Sequence, residues 1–178
     1  MPCKSVLLDR LKSVKCDDGI LIDQLEQLAR DIKAGIYGAD CIMSLDEAQI
    51  KPGPKWDPGR ECMIGDPTVP NSKKNGKPAC KVLMIKLKGV KTGWEKIIAY
   101  FYSDGTTTAP MLKKVVLDVL EVTEKLGILV QAIVCDGPTT NIAMLNLLGI
   151  HLVSSLFSFL TVYYQLSFLK VITSKYME

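Results

Sequence analysis

Apolar positions along the chain follow two periods, and the switch between them divides it into elements. Near the N-terminus they recur every three to four residues. Val6, Leu7, Leu8, Leu11 and Val14 make one helical face, and Asp17-Asp18-Gly19 interrupts it. Ile20, Leu21, Leu25, Leu28, Ala29 and Ile32 make a second face, with Asp23, Glu26, Arg30 and Lys33 outside it. Gly35 and Gly38 end that helix. The period then shortens. Cys41-Ile42-Met43-Ser44-Leu45 predicts a buried strand, closed by Lys51-Pro52-Gly53-Pro54 because proline removes ladder donors. Residues 52–80 are rich in Pro, Gly and Asn and carry one short predicted strand near Glu61-Cys62-Met63-Ile64-Gly65. Residues 80–88 and 96–102 predict two further strands, joined by a turn from Gly89 to Trp94. A helix follows, with Thr108 as its N-cap and Pro110 in its first turn, where a missing N–H costs little. Leu112, Val115, Val116, Val119, Leu120 and Leu126 form its buried stripe, and Gly127 stops it. The last apolar run, 129–135, predicts a strand that opens into Gly137-Pro138-Thr139-Thr140-Asn141. Thr140 is positioned to cap a short helix that Gly149 closes.

This order places hairpin-linked antiparallel strands first and a helix-linked strand after them. The last strand can therefore run parallel to the first. The predicted fold class is α/β with a mixed sheet, on the RNase H-like plan. A right-handed crossover sets the strand ending in Asp46 beside the strand ending in Asp136. The chain divides into an N-terminal helical segment (1–38), the core (39–150) and an apolar tail (151–178).

Composition narrows the picture. With 178 residues, 48% hydrophobic and 23% charged, the chain is long enough for one domain with a real core. A net charge of +3 does not by itself indicate a nucleic-acid partner. Its distribution says more: eight lysines against one acid lie between 73 and 96. Lys73, Lys74, Lys77, Lys86, Lys88 and Lys91 are candidate phosphate contacts, and equally the solvated face of a hairpin whose edge they protect. Six separated cysteines and a single histidine, His151, argue against a structural zinc site. Cys41 and Cys135 read as small buried hydrophobes. Met1 to Lys15 is charged and amphipathic, unlike a secretory signal, so a reducing intracellular setting is expected. From Gly137 to Leu169 there is no Asp, Glu, Lys or Arg, and this stretch approaches membrane-spanning length. Ser154, Ser155, Ser158, Thr161, Gln165 and Ser167 interrupt it and no basic flank precedes it, so a buried or loosely packed helix is expected rather than a span.

Asp46 and Asp136 carry the candidate chemistry. Each ends an apolar run, where a buried carboxylate would need a hydrogen-bond network, a counter-charge or a metal. On neighbouring strands they could share a divalent cation, and oxygen ligands suit Mg²⁺ or Mn²⁺. Spacing alone reads equally well as a turn or cap residue at Asp136 and a lysine-paired strand-end acid at Asp46. Strand alternation turns Glu47 away from Asp46, into a supporting role. A complete two-metal site needs further acids. Asp104, followed by Gly105 and three threonines, is the internal candidate, although a turn or helix-start acid explains it better.

These residues resemble a known family. Ser44-Leu45-Asp46-Glu47-Ala48-Gln49-Ile50-Lys51-Pro52-Gly53 resembles the "DE-x-x-I-K" strand of P-element-type transposases, which include THAP-domain transposases and their domesticated relatives. Lys86-Leu87-Lys88-Gly89 with Trp94, and Ala99-Tyr100-Phe101-Tyr102, resemble that family's second and third strands. Val134-Cys135-Asp136, then Asn141, then Leu147-Leu148-Gly149-Ile150, resemble its "V-x-D-x-x-x-x-N … L-L-G-I" segment. The match runs in order over about residues 20–150. It implies an RNase H-like core for cut-and-paste DNA transposition in the nucleus, with Asp46 and Asp136 as the first two catalytic and metal-binding acids, Mg²⁺ or Mn²⁺ as cofactor and transposon DNA as partner. The family's THAP module, GTP-binding insertion and final catalytic acid have no counterpart in these 178 residues. The expectation is therefore a truncated, incomplete core, inactive alone, able to pair with itself or with a full-length transposase. Two rivals remain: a domesticated, non-enzymatic module that binds DNA or a transposase, and a small membrane-associated protein built around the tail.

Overall fold

The structure, a computed structural model, describes residues 18–57, 62–70, 77–137, 139–150 and the pair 164–165. In chain order the elements are β1 (Gly19–Ile20), α1 (Ile22–Lys33), β2 (Asp40–Gln49), β3 (Lys55–Asp57), β4 (Cys62–Ile64), β5 (Lys81–Gly89), β6 (Glu95–Ser103), α2 (Ala109–Lys125), β7 (Leu129–Cys135), α3 (Thr139–Leu147) and β8 (Tyr164–Gln165). Six strands form one sheet in the order β1-β6-β5-β2-β7-β8, and β3 and β4 form a separate two-stranded ribbon. β2 runs antiparallel to β5 and parallel to β7. The mixed α/β sheet expected from the element order is present.

One face of this sheet holds the core. Cys41, Met43 and Leu45 of β2 and Leu83, Ile85 and Leu87 of β5 are buried alternately along their strands. They pack with Leu25 and Leu28 of α1, Leu112, Val115, Val116 and Val119 of α2, and Met144 and Leu145 of α3. The α2 residues recur at helical spacing, so a single stripe of that helix covers the sheet. A bulge tunes the register. Ile85 pairs with Ala99 and Lys86 with Ile97, which leaves Ile98 as the extra residue of β6. Two successive residues, Ile98 and Ala99, are thereby both buried, which strict alternation forbids. Gly127 ends α2 with φ +75°, a conformation that residues with a Cβ rarely adopt, and its N–H donates to the Glu124 carbonyl.

Several local expectations change. Ile20 does not belong to a helix: Gly19 and Ile20 pair antiparallel with Tyr100 and Ala99, and Leu21 N–H donates to the Ile98 carbonyl at 2.8 Å. Two residues carry no measurable period, so only the waiting edge of β6 decides their state. The strand near Met63 has a partner the pattern did not reveal, Lys55–Asp57. Thr108 occupies the N-cap position of α2, but its side chain makes no capping hydrogen bond. α3 starts at Thr139, one residue before the predicted cap. The helix predicted over 6–14 lies outside the described residues, as does the tail apart from β8, which pairs with Ala132 and Ile133. Among the described residues no helix is long and apolar enough to cross a membrane.

Candidate functional site

β2 and β7 are parallel neighbours, and the carboxyl end of β7 lies beside Leu45, four residues before β2 ends at Gln49. Their pairing ends with Leu45 opposite Cys135. Both of these side chains enter the core. Asp46 follows Leu45 within β2, with its side chain on the opposite face from Leu45, and Asp136 is the first residue after β7. Adjacent strands are about 4.8 Å apart. Neither acid is buried. Burial therefore does not force a partner on them, contrary to the argument from their apolar runs.

The two acids are held differently. Asn141, in the first turn of α3, donates through Nδ2 to Asp136 Oδ1 at 2.6 Å and to the Asp136 carbonyl at 3.2 Å. This clamp fixes the Asp136 carboxylate and leaves its second oxygen for another ligand. It also gives a physical role to the asparagine of the Asp-x-x-x-x-Asn motif. Among the described residues no hydrogen bond or ion pair engages Asp46. Glu47 does not join the acids: it shares the Leu45 face and pairs with Lys81 at 3.0 Å. Glu47 holds the Lys81 ammonium above its ordinary pKa, first by hydrogen bonding and then by charge, with Asp136 a weaker contributor. Lys81 is thus held by Glu47, with only a weak electrostatic link to Asp136. No local signal singles it out in the sequence, because its place depends on the pairing of β5 with β2.

Asp104 belongs to a turn. It accepts hydrogen bonds from the backbone N–H and the hydroxyl of Thr106, which hold its carboxyl below the usual range, and Lys77 adds a small electrostatic pull. It follows β6, and β5 stands between that strand and β2, so Asp104 is not a third ligand at the pair. Among the described residues no cluster of three or more His, Cys, Asp or Glu is arranged to hold a metal ion. Burial first, and a neighbouring aspartate second, push the Cys41 thiol up to about 12 and that of Cys135 to about 11. Neither is a ready nucleophile.

The candidate lysines do not form one patch. Lys77 is exposed near the end of the sheet that carries the acids. Lys86 sits opposite Ser44, on the Asp46 side of the sheet, and is paired with Glu95 at 2.7 Å. Lys88 is exposed one step further along β5. Lys91, in the β5–β6 turn at the opposite end, pairs with Asp40 at 3.6 Å. Lys73 and Lys74 lie outside the described residues.

Comparison with known proteins agrees with this architecture. No curated protein matches the chain by sequence. The structure is similar to a chain of the Drosophila P element transposase strand transfer complex, with a TM-score of 0.56 and 20% identity, over 84% of this chain and 30% of that one. At that identity the likeness concerns the fold, and this chain spans under a third of the length of its neighbour. Residues 16–149 match the family model described as TNP-like, RNase H N-terminal domain, and the chain belongs to that family of transposase RNase H-like domains.

Proposed function

We propose that this domain contributes to metal-dependent phosphoryl transfer on DNA, as part of a P-element-type transposase related to the THAP-domain group and acting in the nucleus. The observation that carries the reading is the parallel register ending at Leu45 and Cys135, each of which directly precedes one of the two aspartates. Their donor set fits Mg²⁺ or Mn²⁺: two exposed carboxylates, one clamped by Asn141, with water and a DNA phosphate taking the other positions. A bound cation would polarise the phosphate and favour attack by water or a 3′-hydroxyl. The part of this chain is to present the two carboxylates, that of Asp136 already held by Asn141, before DNA arrives. Two carboxylates are fewer than a two-metal site employs, so this chain on its own binds the cation weakly and completes no strand transfer.

Calorimetric titration with Mn²⁺ tests the site. The parent protein takes up about one ion, and the Asp46→Asn/Asp136→Asn double variant loses at least tenfold in affinity while folding as before. Indistinguishable isotherms for the two proteins would remove the shared site. A second reading, a DNA-binding module without catalysis, is favoured by the lack of a third acid at the pair among the described residues. It predicts duplex binding that weakens steeply with salt and is unaffected by the double variant.

A further inference from the structure

Asp136 is exposed, yet its carboxylate is not free to turn. Asn141 reaches back to it from the first turn of α3, with Nδ2 at 2.6 Å from Asp136 Oδ1 and 3.2 Å from the Asp136 carbonyl oxygen. Both facing atoms are acceptors, so only the amide nitrogen of Asn141 can serve them. One donor group shared between the side chain and the main chain of the same residue fixes the rotation of that carboxylate. Among the described residues no hydrogen bond or ion pair engages Oδ2. Asp46 has no comparable holder among the described residues.

The clamp is itself anchored from behind. Met144 and Leu145, one turn further along α3, are buried in the core, and so is Leu148 just beyond the helix. At the far end of α3, Lys113 Nζ of α2 donates to the Leu147 carbonyl at 3.0 Å. Asn141 is therefore carried by an element whose place does not depend on the acid it holds. That is the condition for one side chain to set the geometry of another. The consequence concerns which cation is accepted. Ca²⁺ takes about six to eight oxygens and commonly draws on both oxygens of one carboxylate. Mg²⁺ keeps an octahedral shell with several waters and needs one oxygen from each of one or two carboxylates, and Mn²⁺ shares the octahedral preference. A carboxylate with one oxygen committed to an amide has a single oxygen left to offer.

We infer that Asn141 is a positioning residue that makes Asp136 a one-oxygen ligand, and that it thereby biases the site toward Mg²⁺ or Mn²⁺ and against Ca²⁺. This rests on the metal-binding reading above and adds the residue that sets its selectivity.

The full chain is titrated calorimetrically with Mn²⁺ and, separately, with Ca²⁺, and the ratio of the two affinities is the readout. The parent is compared with Asn141→Ala, with Asn141→Leu, which keeps the size of the side chain and removes the donor, and with Asn141→Gln, which keeps an amide. The parent prefers Mn²⁺. Loss of the donor narrows that preference roughly tenfold, with the gain on the Ca²⁺ side, and Asn141→Gln restores part of it. Urea midpoints identify any variant that fails to fold, and Asn141→Leu then decides in place of Asn141→Ala. If the donor-free variants lose affinity for both metals by the same factor, or bind both as the parent does, Asn141 only supports the local fold. The inference then falls and the metal site stands. If the parent binds neither metal, or binds them no better than the Asp46→Asn/Asp136→Asn double variant, the metal-binding reading falls and takes this inference with it.

Discussion

The molecule contains two antiparallel hairpins with opposite fates. β5 and β6 run nine residues each and lie inside the sheet, with Leu83, Ile85 and Leu87 of one and Ile98, Ala99 and Phe101 of the other buried against the helices. β3 and β4 have three residues each and stand apart from the sheet, with Trp56 and Met63 open to water. Both use the same backbone hydrogen-bonding pattern. What separates them is whether a second layer covers their apolar residues. Hairpin pairing alone is marginal in water, so the first hairpin is part of the folding unit and the second is carried by it.

Stability measurements can break that comparison. The largest effect is expected at the buried hairpin: Ile85→Ala should destabilise the domain by about 2–5 kcal/mol, seen as a lower denaturation midpoint in urea. Next is Gly89→Ala at its turn. An added Cβ would collide with the Trp94 indole nitrogen and the Thr92 carbonyl oxygen, and relieving that contact should cost about 1–3 kcal/mol. Trp56→Ala, despite removing the larger side chain, should change stability by under about 0.5 kcal/mol. A loss comparable to that at Ile85 would make the ribbon part of the core and undo the contrast.

The smallest effect concerns pH. The Thr106 hydrogen bonds depress the Asp104 carboxyl in the folded state. Its contribution is therefore present above the unfolded carboxylate range and disappears as pH falls through the lower folded value. Compared with the parent, Asp104→Asn should lack this small component of acid destabilisation between about pH 5 and about pH 3, measured by urea midpoints at each pH. An equal pH response in both proteins would remove Asp104 as a stabilising turn.

Much of the buried hairpin was legible in the residues. Alternating apolar positions in β2 and β5 and the stripe of α2 reflect burial on one face, which a strand or helix imprints with its own period. The parallel pairing of β2 with β7 was also legible, since element order makes them neighbours. Glu47 was expected to turn away, and it does. The ribbon was only half visible: Met63 lies in a run that reads as a strand, but Lys55-Trp56-Asp57 sits among prolines and glycines with no period of its own. The buried extra residue Ile98 was hidden as well, since a bulge breaks the alternation used to detect it.

Local period and simple rules of connection were enough to read the long strands, the helices and the parallel pairing of β2 with β7 from the residues. Only the tertiary structure decided which charges meet. Lys81 found Glu47, Asn141 found Asp136, Gly19 and Ile20 became an edge strand, and Trp56 was left in water. Each of these outcomes is set by register between segments distant in the chain, or by the absence of a covering layer. Neither is encoded in the residues on either side.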